Sequence, residues 1–327
     1  MGSVHSQAYA NMPDIQLAGI IDLRTAVAEP LATQLGVPFF ANYDEFWRNC
    51  DADVVDICIP TCFHRQYIER AASAGKHVIC EKPLALTAQD AQAAIDVCRD
   101  NHVRLFVGQV VRFFPEYQRM HAVVTENQLG QVGTVRTFRG GVFPTAWNDW
   151  YANAKMSGTL LVDLLVHDFD FLRWCFGDVK RVFARSLLPY EANRVDHAFV
   201  SLRFNSGVIA HVEGSWALPS GFFTEVEIAG ATGTLQHKSA DSAPVHFSRR
   251  HTVDGKPVVE VPSSPLAHSP YYLELAHFME CLRTGGDSLV EPEDALEALK
   301  ISLAALESAT SGQVVSLGSE EKGCVGK

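Results

Sequence analysis

The chain has 327 residues, of which 47% are hydrophobic and 20% charged, an ordinary globular composition long enough for two domains. Its formal net charge of −11 argues against a nucleic-acid partner, because binding a polyanion needs basic patches that displace counterions. No apolar run approaches the roughly 20 residues of a membrane span, and no basic-then-apolar leader opens the chain.

The first half alternates short apolar runs with helix-like stretches. Apolar runs fall at 15–22, 53–59, 77–80 and 103–107, with helical patterns at 25–35, 43–50, 62–74 and 87–100 between them. In the last, Thr87 is an N-cap, and Ala91, Ala94, Ile95 and Cys98 recur at helical spacing. Strands apolar throughout, alternating with helices, predict a doubly wound parallel sheet. Gly36 and Gly75 stand at helix C-caps, and Pro30 is expected to kink or shorten its helix. Asp22 ends the first of these runs. It reads either as the acid that holds the adenosine ribose in a dinucleotide fold or as a plain strand-end turn.

A dinucleotide fold opens with a strand and a G-x-G-x-x-G turn, the acid following about 20 residues later. Here Gly2 occupies the place of the last glycine, and 4–9 read as the helix behind it. The expectation is that the natural protein starts upstream of Met1, and that the absent strand leaves a gap in the sheet.

After residue 115 the pattern changes. A helix at 116–128 ends at Gly130, and strands follow at 132–139, 179–187, 197–204, 207–216, 223–229 and 257–261. Asn205-Ser206-Gly207 is a hairpin turn, so the sheet is expected to be antiparallel or mixed. Helices at 270–284 and 293–309 follow, then a polar tail after 318. A helix over 159–175 carries Asp163, His167, Asp170 and Trp174 at i, i+4, i+7 and i+11, one stripe on an otherwise apolar surface. Spacing alone leaves open whether that stripe meets solvent or a cleft. Lys82 follows the strand at 77–80 and reads either as a surface lysine or as a group in the crevice at the strand ends. The eight cysteines show neither disulfide nor zinc-ligand spacing and read as reduced thiols in a cytoplasmic protein.

Several stretches together resemble the glucose–fructose oxidoreductase / inositol dehydrogenase / rhizopine catabolism (Gfo/Idh/MocA) family. They are Ile59-Pro60-Thr61-Cys62-Phe63-His64; Ala74-Gly75-Lys76-His77-Val78-Ile79-Cys80-Glu81-Lys82-Pro83; Arg112-Phe113-Phe114-Pro115; and Ser157-Gly158-Thr159-Leu160, leading to Asp163-x3-His167-x2-Asp170 and Trp174. Phe278, Asp294-Ala295-Leu296 and Ala304 fit the closing helices, so the resemblance covers nearly the whole chain. Departures are the shortened glycine loop, Ile59 for threonine, Ser157 for glycine, and Leu165 for a small residue; the last three are expected to touch substrate fit.

The resemblance implies a Rossmann-like NAD-binding domain over 1–114, lacking its first strand, and an α+β domain over 115–327 that binds substrate and forms a homodimer or homotetramer through its open sheet. It moves the 163–174 stripe to a cleft and makes the Lys82–Pro83 bond cis. Cofactor contacts would come from Gly2, Ser3, Asp22, Leu23, Arg24, Pro60, Thr61, His64, Glu81, Lys82 and Gln109, with NAD preferred over NADP because Asp22 repels a 2′-phosphate. Substrate contacts would come from Lys82, Arg112, Trp147, Asn148, Asp149, Asp163 and His167. His64 could instead be a helix-start residue, and Trp147 to Trp150 a loop anchored by two buried tryptophans. The implied reaction is hydride transfer between a polyol or sugar hydroxyl and nicotinamide. His167 acts as base, Asp163 orients it or the substrate, Lys82 stabilises the alkoxide, and no metal is required. The competing readings are a relative that uses NAD to cleave glycosides, a non-catalytic sensor of the same architecture, and an inactive truncated product.

Overall fold

The computed structural model describes residues 1–187, 196–241 and 268–318. The expected strand at 257–261 and the tail after 318 lie outside the described residues. Those residues cluster into two compact units, one of 1–85, 89–114 and 268–295, the other of 86–88, 115–187, 196–241 and 296–318.

The first unit begins with α1 (Gly2–Ala10), β1 (Ile20–Ile21), α2 (Thr25–Leu35), β2 (Phe39–Phe40) and α3 (Tyr43–Asn49). It continues through β3 (Val54–Ile57), α4 (His64–Ser73), β4 (His77–Glu81), α5 (Ala88–Asp100) and β5 (Leu105–Gly108). The strands pair in parallel, as expected for apolar runs joined by helices, but in two pieces: β1 with β2, and β3 with β4 with β5. Among the described residues the sheet is therefore split between β1 and β3. The run 15–22 contributes two ladder residues. With a neighbour on one side only, just Ile20 and Asp22 donate across, to Pro38 (2.9 Å) and Phe40 (3.3 Å). Pro30 does not shorten α2, which runs through it from Thr25 to Leu35.

The cis Lys82–Pro83 bond follows β4. Below the sheet, α10 (Pro270–Thr284) buries Leu275 and Phe278 beside Tyr9, Phe106 and Phe113. Phe278 stacks on Phe106 at 4.9 Å, which seats α10 in the first unit although it follows the later strands in sequence.

The second unit contains α6 (Pro115–Thr125), β6 (Val132–Val142), α7 (Ala154–Ser157), α8 (Thr159–Asp163) and α9 (Val166–Phe176). Then come β7 (Val179–Leu187), β8 (His197–Phe204), β9 (Ile209–Ser215), β10 (Ala217–Gly230) and β11 (Gly233–Lys238). After α11 (Pro292–Ser311), β12 (Val315–Ser316) closes the edge. The seven strands run in the order β11-β10-β6-β9-β8-β7-β12, antiparallel except for β6 with β9. The Asn205-Ser206-Gly207 turn forms as expected, with Gly207 N–H donating to the Phe204 carbonyl at 3.1 Å. Along β8, Ala198, Val200, Leu202 and Phe204 are buried while Phe199 is 55% exposed, the two-residue period of a sheet covered on one face.

The helices on that covered face approach closely at one point. A Cβ on Gly214 of β9 would fall 2.7 Å from Leu165 Cδ2 and 2.8 Å from Leu160 Cδ2, both wholly buried. Gly214→Val is therefore expected to lower the urea midpoint by an amount equivalent to about 1–3 kcal/mol, the usual cost of overpacking, with little change in slope.

Candidate active site

The polar stripe expected on one continuous helix lies instead on two helices. Leu165 N–H donates to the Leu160 carbonyl at 3.0 Å, an i→i−5 bond, and α8 gives way to α9 across Leu164 and Leu165. One-turn widenings of this kind occur often at functional sites. The stripe does not face bulk solvent: Asp163 and Asp170 are buried and His167 is half-buried. Trp174 stacks flat on His121 at 3.6 Å, a packing role for both.

The turn that launches α8 is strained. Gly158 has φ +75°, and a Cβ there would lie 2.7 Å from Val162 Cβ. Thr159 follows at φ +71°, an outlier for a β-branched residue. Ser157 holds this turn: its hydroxyl donates to the Tyr151 carbonyl (3.0 Å) and accepts from Thr159 N–H (3.2 Å). From the other side, Asp196 accepts the Leu160 N–H at 3.0 Å. Ser157 and Leu165 are thus fully buried packing and turn residues. Below them, Asp168 of α9 meets Arg139 of β6 at 2.5 Å, with Tyr117 Oη 3.3 Å from the same guanidinium. Burial works against charge on Arg139, but Asp168 raises its pKa further still.

In the first unit, Lys82 N–H donates to Glu81 Oε2 at 3.1 Å. His64 is buried, with its ring nitrogens 2.9 Å from the Pro83 and Ile59 carbonyls. Burial lowers its pKa, the two carbonyls only partly offsetting this, and the ring braces the turn after Lys82. Arg112 is likewise buried and donates to the Leu289 carbonyl (2.8 Å) and Asp294 (3.0 Å), an anchor for the start of α11. The Asp22 carboxylate takes three bonds from Arg24: the backbone N–H at 2.8 Å, Nε at 3.1 Å and one terminal nitrogen at 2.8 Å. Burial tends to raise the Asp22 pKa, but these bonds hold it below the usual range. Of the W-N-D-W loop only Trp150 is buried; Asn148 and Asp149 turn the chain at φ +50° and +51°.

Sequence reasoning missed a further cluster. His5 Nδ1 lies 2.8 Å from Asp56 Oδ2, and Cys58 Sγ lies 3.3 Å from the same nitrogen. Tyr9 donates to Asp56 Oδ2 at 2.6 Å, and His5 Nε2 is 3.2 Å from Glu81 Oε1, an ion-pair distance with an off-axis approach. The His5, Asp56 and Cys58 donors all lie within 4.8 Å of one another, as metal ligands would, but they are spent on one another. Burial and Asp56 push the Cys58 thiol up to about 12. Arg139, Asp168 and Asp196 were missed too. The only sequence trace was Arg139, a charge in a run of strand-forming residues.

Over residues 1–109 the chain matches a Gfo/Idh/MocA family model described as an oxidoreductase family with an NAD-binding Rossmann fold, and over 117–236 the matching C-terminal domain. D-apiose dehydrogenase of Paraburkholderia graminis is 32% identical, over 82% of this chain and 74% of that protein. The chain belongs to the Gfo/Idh/MocA oxidoreductase family. Inositol 2-dehydrogenase of Rhizobium meliloti is 27% identical over 97% of this chain and 96% of that protein. The solved myo-inositol dehydrogenase of Corynebacterium glutamicum superposes with a TM-score of 0.80 at 27% identity, covering 98% and 96% of the two chains.

NAD is the cofactor of this Rossmann domain, and the first unit carries features that fit it. The Gln109 side-chain oxygen, just past the end of β5, is buried and accepts no hydrogen bond among the described residues. Asp22 stands at the end of β1, and Gly2 opens α1, where a backbone can approach phosphate.

Asp196 gives a test of how the site is held. Burial raises its pKa, the Leu160 bond only partly offsetting this, and the value reaches about 6. The fold therefore binds this proton more tightly than the unfolded chain does. The stabilisation is complete below the ordinary carboxyl value and is lost as pH rises through about 6, on the order of 3 kcal/mol in all. Asp196→Asn keeps the acceptor and cannot ionise. Its stability relative to wild type is expected to improve by that order between about pH 4 and about pH 7.5, read from urea midpoints; a constant difference would contradict the assignment.

Proposed function

We propose that this Gfo/Idh/MocA member oxidises a secondary alcohol of a cyclic polyol or sugar, inositol-like or aldose-like. The observation that carries the reading is the pair Asp163 and His167, set off from solvent on either side of a helix break in an otherwise apolar layer. A half-buried imidazole one turn from a buried carboxylate suits a general base, because its ordinary pKa lies near working pH. His167 takes the hydroxyl proton as the carbon gives up hydride. Asp163 orients the imidazole or a substrate hydroxyl. Lys82 donates to the same substrate oxygen and stabilises its developing negative charge. NAD⁺ supplies the hydride acceptor. Asp22, Leu23 and Arg24, with Gly2, Ser3, Pro60, Thr61, Glu81 and Gln109, are assigned to hold it. Asp22 favours NAD over NADP, and the W-N-D-W loop is assigned to substrate hydroxyls.

The relatives named above as inositol and apiose dehydrogenases support this substrate class. The test is NADH formation across a panel of inositols and aldoses. The best substrate should turn over about 10²–10⁴-fold more slowly with His167→Ala, the range for a positioned base, and unchanged turnover would refute the role.

Among the described residues no helix is long and apolar enough to cross a membrane, and we assign the enzyme to the cytoplasm. Its open sheet face carries Phe183, Leu187 and Phe199, 36%, 61% and 55% exposed. Such a patch favours assembly into a homodimer or homotetramer through the sheet. Phe199→Glu should shift the mass from light scattering towards the monomer; an unchanged mass would place the interface elsewhere.

A further inference from the structure

His5, Asp56 and Cys58 take no part in the reaction scheme, yet their buried cluster reaches, through Glu81, the backbone of Lys82. His5 of α1 is 2% exposed and lies between two carboxylates, Asp56 at 2.8 Å and Glu81 at 3.2 Å. The second oxygen of Glu81 accepts the Lys82 N–H at 3.1 Å. Burial works against a charge on His5, but Asp56 and Glu81 outweigh it and keep the ring protonated far above the ordinary range. Burial would raise the Glu81 pKa, and the neighbouring His5 lowers it.

An ionised carboxylate in a dry interior keeps one orientation only while its counter-charge is present. Removing the imidazole would leave Glu81 to turn towards solvent or take up a proton. Either change loosens the backbone from which the Lys82 side chain projects. We propose that His5 is a positioning residue for Lys82, acting through Glu81: the imidazole fixes the Glu81 carboxylate, and that carboxylate fixes the Lys82 amide at the end of β4. The proposal rests on the role given to Lys82 above.

The link predicts a particular pattern. His5→Gln and Glu81→Ala should each lower kcat roughly tenfold to a hundredfold, since small misplacements of a reacting group cost that much, and in His5→Gln, whose side chain is not assigned to the cofactor, KM for NAD⁺ should change less than about threefold. The double variant should be no slower than the poorer single variant, because both cut one connection. His5→Lys, which keeps a cation between the carboxylates, should recover part of the loss and remains informative if His5→Gln folds poorly. Independently of turnover, hydrogen exchange at the Lys82 amide should quicken in His5→Gln while exchange along β5 stays as in wild type.

Additive losses, or kcat and Lys82 exchange both unchanged in His5→Gln, would overturn the proposal. A rise in KM for NAD⁺ with kcat intact would also overturn it, because His5 would then serve only cofactor binding. If wild type oxidised no polyol or sugar, the proposed function would fail. The exchange measurement would still decide whether His5 holds the Lys82 backbone.

Discussion

A charge taken into an apolar interior must bring its counter-charge with it, and the Arg139–Asp168 pair shows how much of the second unit hangs on that rule. Arg139 stands on β6 and Asp168 on α9, next to His167, and both side chains are almost fully withdrawn from water. Such pairs add little net stability over apolar residues of equal size, but losing one partner costs several kcal/mol. The pair therefore fixes where α9 lies on the sheet. Asp196 does the same for α8 through Leu160, and Gly214 allows the close approach that packs both helices. Asp163 and His167 inherit their positions from these contacts.

The helix break between α8 and α9 follows from the same packing. A straight helix would keep Asp163, His167, Asp170 and Trp174 on one stripe. The i→i−5 bond at Leu165 changes the phase, so Asp170 goes into the interior and Trp174 to a stack on His121. The strained Gly158-Thr159 turn fits this picture. Backbone strain persists where surrounding contacts over-determine it, and Ser157 and Asp196 supply those contacts.

The periodic parts of the fold were legible from sequence. The helices at 25–35, 64–73 and 88–100, the alternation along β8 and the hairpin at Asn205-Ser206-Gly207 all follow from local pattern. The break at Leu164-Leu165 was not legible, because no glycine or proline marks it locally and Gly214, against which Leu160 and Leu165 pack, lies some fifty residues away in sequence. Nor was the seating of α10, which is decided by Phe106 and Phe113 across the fold. At the candidate site, Lys82, Asp163 and His167 were picked out by motif resemblance. His5, Asp56, Arg139 and Asp196 carry no motif, since their partners are distant in sequence. His64 and Arg112 carry motif positions, but their polar atoms are engaged in bracing the chain.

The central claim is direct hydride transfer from a polyol or sugar carbon to nicotinamide. It is tested most directly by incubating the purified chain with NAD⁺ and ring-deuterated inositols and aldoses, then locating deuterium in the products by mass spectrometry. The account predicts one deuterium carried into released NADH for at least one member of the panel, together with a slowed rate for the labelled substrate. NADH-free cleavage of glycosides, or cofactor bound with no label transferred from any member, would contradict it.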